Sequence, residues 1–440
     1  MTQTNQDLRF LVVNADGTKN SKYPTGNKPA GTIYRHGDAF SFNDASLGTT
    51  TVIEKQFLGG GGGYIETLAD GALAVNGSKW DFYYSGAGVA YTGYTDSIRG
   101  KVLRNDYGVA AANPQVDAII SMSASAPIPE NTTVYWCYHA RAIVKDSGGA
   151  NVPESGIEQW KMSRGLTTTK TIQDSANTNI EQVSVQHFNG SGLIARVENS
   201  AGSSTGTITS ATTTSIYNSS GTMVPNVFAG ALVTVTKTAD NSKQYVKCLS
   251  NDDKNIVFVS SITLPVAGDT YSIGSDAFQY DYGTPCTVFT NGWIYAQGTV
   301  TTSTQGQADG SIRYSLHQGG GLIKRGERSG IPLYGSAARS QYIPMIQGYI
   351  KSGSTSIATR EFFADDVYVQ IGSDRRIVLA SSTTLDSVEI YGIQNWTTWA
   401  SNSISGNINI GGITASGNYH LCAVSGANTL LWSQSIFIEV

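Results

Sequence analysis

No window of this 440-residue chain places apolar residues at i, i+3, i+4 and i+7 over successive turns. An amphipathic helix needs that spacing to bury one face, so a helical fold has no foundation here. Strand-like runs are abundant instead. Thr133-Val134-Tyr135-Trp136-Cys137-Tyr138-His139-Ala140 and Ala231-Leu232-Val233-Thr234-Val235-Thr236 are examples, and Ile256-Val257-Phe258-Val259 is continuously apolar. Asp16-Gly17, Asn76-Gly77, Asn189-Gly190, Asn291-Gly292 and Asp309-Gly310 interrupt them with dipeptides suited to tight hairpin turns. The expectation is an all-β protein.

The composition agrees. Charged residues make up 14% of the chain, against roughly 25% in an average soluble domain. Surface polarity must come from hydroxyls and amides. The net charge is −4, without the basic stripe of a nucleic-acid partner. Lys324-Arg325-Gly326-Glu327-Arg328 is the closest approach to one, short and broken by Glu327, and reads as a solvated loop. Cysteines at 137, 248, 286 and 422 form no CxxC pair. They read as buried free thiols, with neither a zinc site nor a disulfide framework. The polar start Met1–Gln6 has no signal-peptide pattern, and no apolar run is long enough to span a membrane. Synthesis in the cytoplasm is expected.

Five regions emerge along the chain. Residues 1–25 form an N-terminal arm with one hairpin, Arg9-Phe10-Leu11-Val12-Val13-Asn14-Ala15-Asp16-Gly17. Residues 26–175 and 286–372 are strand-rich, and residues 176–285 read as an inserted β-lobe. Residues 373–440 form a terminal β-domain. Deleting that domain is expected to leave the rest folded, because the preceding strand ends near Val369.

Catalytic patterns are hard to find. A retaining glycosidase needs two carboxylates about 5 Å apart, and no alternating acidic run supplies them on one strand face. Glu154 and Glu158 sit in a loop-like context. Tyr314 and His317 are out of phase for one strand face and lack an evident partner for lyase chemistry. Five histidines are too scattered for a metal triad, and no nucleophile elbow or phosphate loop occurs. The glycine run Gly59–Gly63 leads into strand-like Tyr64-Ile65-Glu66-Thr67 and reads as close backbone packing. Asp365 and Asp366 are adjacent, so only one can face a given site unless a bulge intervenes. No catalytic residue, metal or cofactor is expected.

Aromatic residues are the candidates for binding. Tyr83, Tyr84, Tyr91 and Tyr94 flank a Gly/Ser-rich segment and could stack on sugar rings. Of Trp396 and Trp399, one suits a core and the other an interface anchor.

Several motifs, in order, resemble concanavalin-like (laminin-G-like) jelly rolls. Gln159-Trp160-Lys161-Met162 followed by Arg164 looks like a central strand of that family. Asn291-Gly292-Trp293-Ile294-Tyr295 and Asp309-Gly310-Ser311-Ile312-Arg313-Tyr314 look like a neighbouring strand pair. Phe363-Ala364-Asp365-Asp366-Val367-Tyr368-Val369 looks like the closing strand, and the terminal region resembles small Ig-like (IPT/TIG-like) domains of bacteriophage structural proteins. The inserted lobe departs from the plain family. The resemblance implies a jelly-roll β-sandwich with an inserted lobe and a C-terminal Ig-like sandwich. It implies a non-enzymatic structural component of a phage virion: a tail-associated protein, head fibre or capsid decoration. Other virion proteins, host surface polysaccharide and further copies of the chain are the implied partners. A polysaccharide-degrading enzyme on the same fold, and a soluble lectin or adhesin, are the alternatives.

Overall fold

The computed structural model describes residues 33–60, 63–75, 77, 79–85, 90–106, 116–126, 128–150, 158–164, 181–188, 192–199, 204–223, 228, 232–273, 278–280, 292–302, 304, 309–331, 342–350 and 357–440. The N-terminal arm, Cys286 and Glu154 lie outside these residues. The described chain is all-β, with short 3-10 turns at Ala45–Leu47 and Tyr64–Thr67 and no α-helix.

The strand Thr133–Asp146 organises the largest sheet. Its alternation sends Val134, Trp136, Tyr138 and Ala140 to one face and Tyr135, Cys137 and His139 to the other, all of them buried. It pairs antiparallel with Ile294–Thr301 on one side and Ile357–Ile371 on the other. Gly310–Gln318 and Gly321–Ile331 extend the sheet in one direction. Gly100–Asp106, Tyr91–Asp96 and Glu54–Leu58 complete its eight strands in the other. The expected neighbouring pair around Trp293 and Tyr314 is therefore a true pair. Gly298 lies opposite Trp136, where a Cβ would fall 2.4 Å from the indole. Glycine there makes room for the ring.

A seven-stranded sheet faces this one. It runs from Phe278–Tyr280 through Gly192–Asn199, Glu181–Phe188, Glu158–Arg164, Tyr342–Ile350 and Val116–Ser123 to Trp80–Ser85. Trp80, Phe82, Ile120 and Met122 from it close one core with Tyr91, Leu103, Trp136 and Leu316. Trp160 thus belongs to the sheet opposite Trp293. Three strands of the expected 176–285 lobe serve this sheet. The lobe itself is a seven-stranded sheet within 204–273, with a core of its own around Val233, Val235, Cys248, Ile256, Phe258 and Tyr271.

The C-terminal unit is a sandwich of five and three strands. Its first strands come from the other end of the described chain. Ile33–Tyr34 pairs parallel with Thr429–Ile438, and Ala39–Asn43 pairs antiparallel with Ser403–Asn407. Phe40 and Phe42 pack there with Trp396, Ile404 and Ile436. Residues 33–43 therefore complete this sandwich rather than the jelly roll they adjoin in sequence.

The C-terminal sandwich covers the second face of the eight-stranded sheet. Val378, Ala380, Ile390, Ile393 and Cys422 pack on Tyr135, Cys137, Tyr295 and Tyr368. Fully burying an apolar side chain contributes roughly 1.5–3 kcal/mol, so the layers are energetically coupled. Residues 373–440 are therefore not expected to be dispensable, contrary to the sequence-based expectation. A chain ending at 372 should leave 33–43 unpaired, bare Tyr135, Tyr295 and Tyr368, and aggregate. Light scattering with thermal unfolding checks this; a monomer with a cooperative transition would contradict it.

Candidate functional site

The site begins with a bulge. Ala364 pairs with Ala140 and Asp365 with His139, but the next partner of Cys137 is Tyr368. One extra residue is therefore accommodated, and Asp366 takes a φ of 52°. The inward residues switch from Phe362 and Ala364 to Val367, Val369 and Ile371. The bulge lets two adjacent carboxylates face one guanidinium, which a regular strand forbids.

That guanidinium is Arg99. The carboxylate of Asp96 fixes its turn by accepting from the backbone N–H groups of Ile98 at 2.9 Å and Arg99 at 3.0 Å. Arg99 Nε donates to Asp365 at 2.8 Å, Nη2 to Asp366 at 2.7 Å and Nη1 to the Tyr391 carbonyl at 2.9 Å. Asn409 Nδ2 donates to the other oxygen of Asp366 at 2.6 Å. The cluster thus joins a hairpin turn, the bulged strand and the C-terminal sandwich. Gly59 and Gly60 lie alongside. A Cβ on Gly59 would come within 2.9 Å of Asp366 Cα, and one on Gly60 within 2.4 Å of Asn409 Oδ1. Gly59 and Gly60 form a close-packed seam.

Burial governs the protonation of these groups. Loss of solvent, then the charge of Asp366, pushes Asp365 up to about 6, and burial raises Asp366 as well. Burial and then Arg99 hold His139 well below its ordinary value. Neutral His139 donates from Nε2 to the Ile390 carbonyl at 3.0 Å, and its Nδ1 lies 3.2 Å from Asp366.

A second polar group extends along the same sheet face. The Tyr135 and Tyr295 hydroxyls lie 3.0 Å apart, and both donate to Gln297 Oε1. Gln297 donates to Ser315 and Asn428, and Ser315 lies 3.2 Å from His317 Nε2. The buried Arg376 sits 4.6 Å from the Tyr135 ring and donates to Asn428. Sequence reading missed this tyrosine, glutamine, histidine and arginine combination. Its signal was the alternation Tyr135/Cys137/His139 and Tyr295/Gln297, which one strand alone cannot place beside Ser315 and His317.

The two groups meet at a cleft of about 360 Å³. Arg99, His139, Trp293, Tyr295, His317 and Glu389 are among its lining residues, with the backbone of Gly319–Gly321. His317 is 2% exposed, and its Nδ1 has no partner. Burial pushes His317 down to about 4. The Trp293 ring is packed by the guanidiniums of Arg99 at 5.3 Å and Arg141 at 5.1 Å. Glu389, also in the lining, is exposed, and partial loss of solvent raises its carboxyl.

The residues anticipated for binding lie elsewhere. Tyr91 is 1% exposed in the jelly-roll core, because its strand turns it inward; it cannot stack on a sugar. Tyr94 points the other way and packs on Phe363 at 5.5 Å. Tyr83 and Tyr84 lie in Trp80–Ser85, and their side chains fall outside the described residues. Trp396 is buried, with Lys55 3.8 Å over its ring, and Trp399 packs edge-on against it. Both are internal contacts of the C-terminal sandwich. Tyr314 is a core residue. Arg325 pairs with both oxygens of Asp386, and Arg313 with Glu327, so the Lys324–Arg328 segment is a paired strand. Cys137, Cys248 and Cys422 are buried free thiols, pushed up to about 12 by burial.

No family model and no curated protein sequence matches the chain. Solved structures do. An alginate lyase from Aplysia kurodai is 10% identical with a TM-score of 0.32, covering 66% of this chain and 89% of its own. The Lotus tetragonolobus seed lectin is 8% identical with a TM-score of 0.30, covering 68% and 97%. An alginate lyase from Chlorella virus is 12% identical with a TM-score of 0.30, covering 73% and 99%. At these low scores no residue role is carried over. The expectation of a chain without catalysis is nonetheless corrected, because lyases stand among the similar structures.

Two outcomes are expected. Arg99→Met strands two buried carboxylates and should cost about 3–5 kcal/mol in urea unfolding. His317 has a folded pKa of about 4 against 6.5 unfolded. The unfolded chain then binds more protons between those values, so this group's contribution to stability rises with pH. Asp365 is raised, so its contribution falls with pH from about 4 to about 6. Relative to the parent protein, His317→Asn should therefore gain about 3 kcal/mol between pH 7 and pH 4. Urea midpoints at both pH values check it.

Proposed function

We propose that this chain recognises a carbohydrate in the cleft beside Trp293 and His317, as a structural component of a bacteriophage particle. The cleft carries the first part. Its volume of about 360 Å³ suits a small ligand or one segment of a longer one. It lies where the jelly-roll sheet meets the C-terminal sandwich, and its wall includes His317, buried with one nitrogen unpartnered. Burying such a nitrogen without a hydrogen bond costs about 1–3 kcal/mol, a cost that a polar ligand can offset. The particle assignment rests on the ordered motifs at Trp160, Trp293 and Asp365-Asp366 and on the low-charge, all-β chain. In that reading the terminal unit is an Ig-like domain and the particle presents several copies.

A second reading, polysaccharide cleavage, is favoured by one observation. Tyr295 and His317, side chains capable of proton transfer, both line the cleft, although burial makes His317 a weak base.

A glycan array probed with the whole chain tests the proposal. One glycan class should be retained, and His317→Leu should weaken its binding by about tenfold. Retention of no glycan, or unchanged binding by a folded His317→Leu variant, would overturn the cleft assignment. Scoring the same glycans for new unsaturated or reducing ends tests cleavage. Peptide mass spectrometry of density-purified particles tests the location: a fixed ratio to the major capsid protein is expected, and absence from particles would remove the virion assignment.

A further inference from the structure

The charge of the cleft narrows what it can hold. A lectin or lyase site for acidic sugars presents a cation or amide donor to the sugar carboxylate. Arg99 is the cation among the cleft residues named above; three of its five N–H groups are committed within the protein, and two carboxylates face its charge. Its Nε and Nη2 are taken by Asp365 and Asp366, and its Nη1 by the Tyr391 carbonyl. Both histidines are held neutral by burial. Arg141, behind Trp293, is paired with Asp96 at 2.6 Å.

Negative charge is in excess. Asp365 and Asp366 face one guanidinium. Glu389 adds a carboxylate to the cleft lining; among the described residues its side chain makes no hydrogen bond or ion pair, although the charge of Arg99 acts on it. An unpaired carboxylate in a partly desolvated cleft favours a ligand that brings a positive charge. The partnerless Nδ1 of His317 is an independent sign that a polar ligand is missing from the same cavity.

We propose that the cleft selects a glycan carrying a protonated amino group, a 2-amino-2-deoxy sugar, with Glu389 as the carboxylate that pairs with it. Uronate-bearing glycans are disfavoured by Glu389 in the cleft lining and by the buried Asp365 and Asp366, which offset the charge of Arg99. This rests on the carbohydrate reading of the cleft and sets its ligand class.

The test is titration calorimetry of the whole chain at about pH 7, where an amino group of this kind is still largely protonated and Asp365, raised to about 6, is mostly ionised. The probes are glucosamine oligomers, their N-acetylated counterparts of equal length, and oligouronates. Glucosamine oligomers should bind at least about tenfold tighter than the N-acetylated series, and oligouronates should give no heat. Glu389→Gln, a surface change that leaves the fold intact, should equalise the first two. Equal binding by the parent protein, a preference that survives in Glu389→Gln, or binding of oligouronates would overturn the amino-sugar assignment while leaving a glycan cleft in place. Failure of all three series to bind, together with a blank glycan array, would remove the cleft assignment itself.

Discussion

The structure turns on one extra residue in the strand Ile357–Ile371. The bulge at Asp365–Asp366 reverses which side chains face the jelly-roll core, and it gathers two carboxylates around Arg99. Without it, either Phe362 and Ala364 or Val367 and Val369 would point away from the core, because a strand alternates strictly. The bulge thus lets a 15-residue strand serve one core along its whole length. It also turns the strand's other face into the anchor for the hairpin turn at Arg99 and the loop at Asn409. Gly59 fits beside it because nothing larger would clear Asp366.

From that anchor follows a three-layer arrangement. The eight-stranded sheet has a jelly-roll core on one face and the C-terminal sandwich on the other. A sheet covered on both faces needs apolar residues at most positions, and Thr133–Asp146 complies over Val134-Tyr135-Trp136-Cys137-Tyr138. The compromise is chemical. One face is aliphatic and aromatic, whereas the other carries tyrosine hydroxyls, Gln297, Ser315, His317 and Arg376, each tied into hydrogen bonds. Buried polar groups tolerate such a position when they satisfy one another. The Nδ1 of His317 at the cleft lacks such a partner, as do the Nδ1 of His139 and the Nε of Arg376.

The all-β character was legible because strand alternation and turn dipeptides are local signals. The pairing of the strands around Trp293 and Tyr314 was legible for the same reason, since hairpin partners are neighbours in sequence. The pairing of Ile33–Tyr34 with Thr429–Ile438 was not, because nothing local records a partner at the far end of the chain. Tyr91 and Tyr94 show a subtler limit. They are three residues apart on one strand, so alternation must separate them onto opposite faces. Grouping them as one sugar platform overlooked a constraint that the sequence itself contained. The Asp365-Asp366 pair shows the reverse. Its adjacency gave the condition for a shared site, a bulge, but not whether the bulge forms; that depends on Arg99, more than two hundred and fifty residues away in the chain.

The polar junction also bears on why the cleft lies where it does. Replacing a buried ion pair by well-packed apolar side chains is often neutral or stabilising. An Arg99–Asp365–Asp366 cluster is therefore not required merely to hold the C-terminal sandwich in place; the apolar contacts of Tyr135, Tyr368, Val378 and Ile393 already do so. What an apolar plug cannot supply is a fixed negative potential at the cleft wall. Both histidines are neutral, and Asp365 and Asp366 share the single positive charge of Arg99, so that the carboxylates outnumber the cation. The same bulge that brings the core into register thus also determines the charge a ligand meets, and stability and recognition share a single irregular step in one strand.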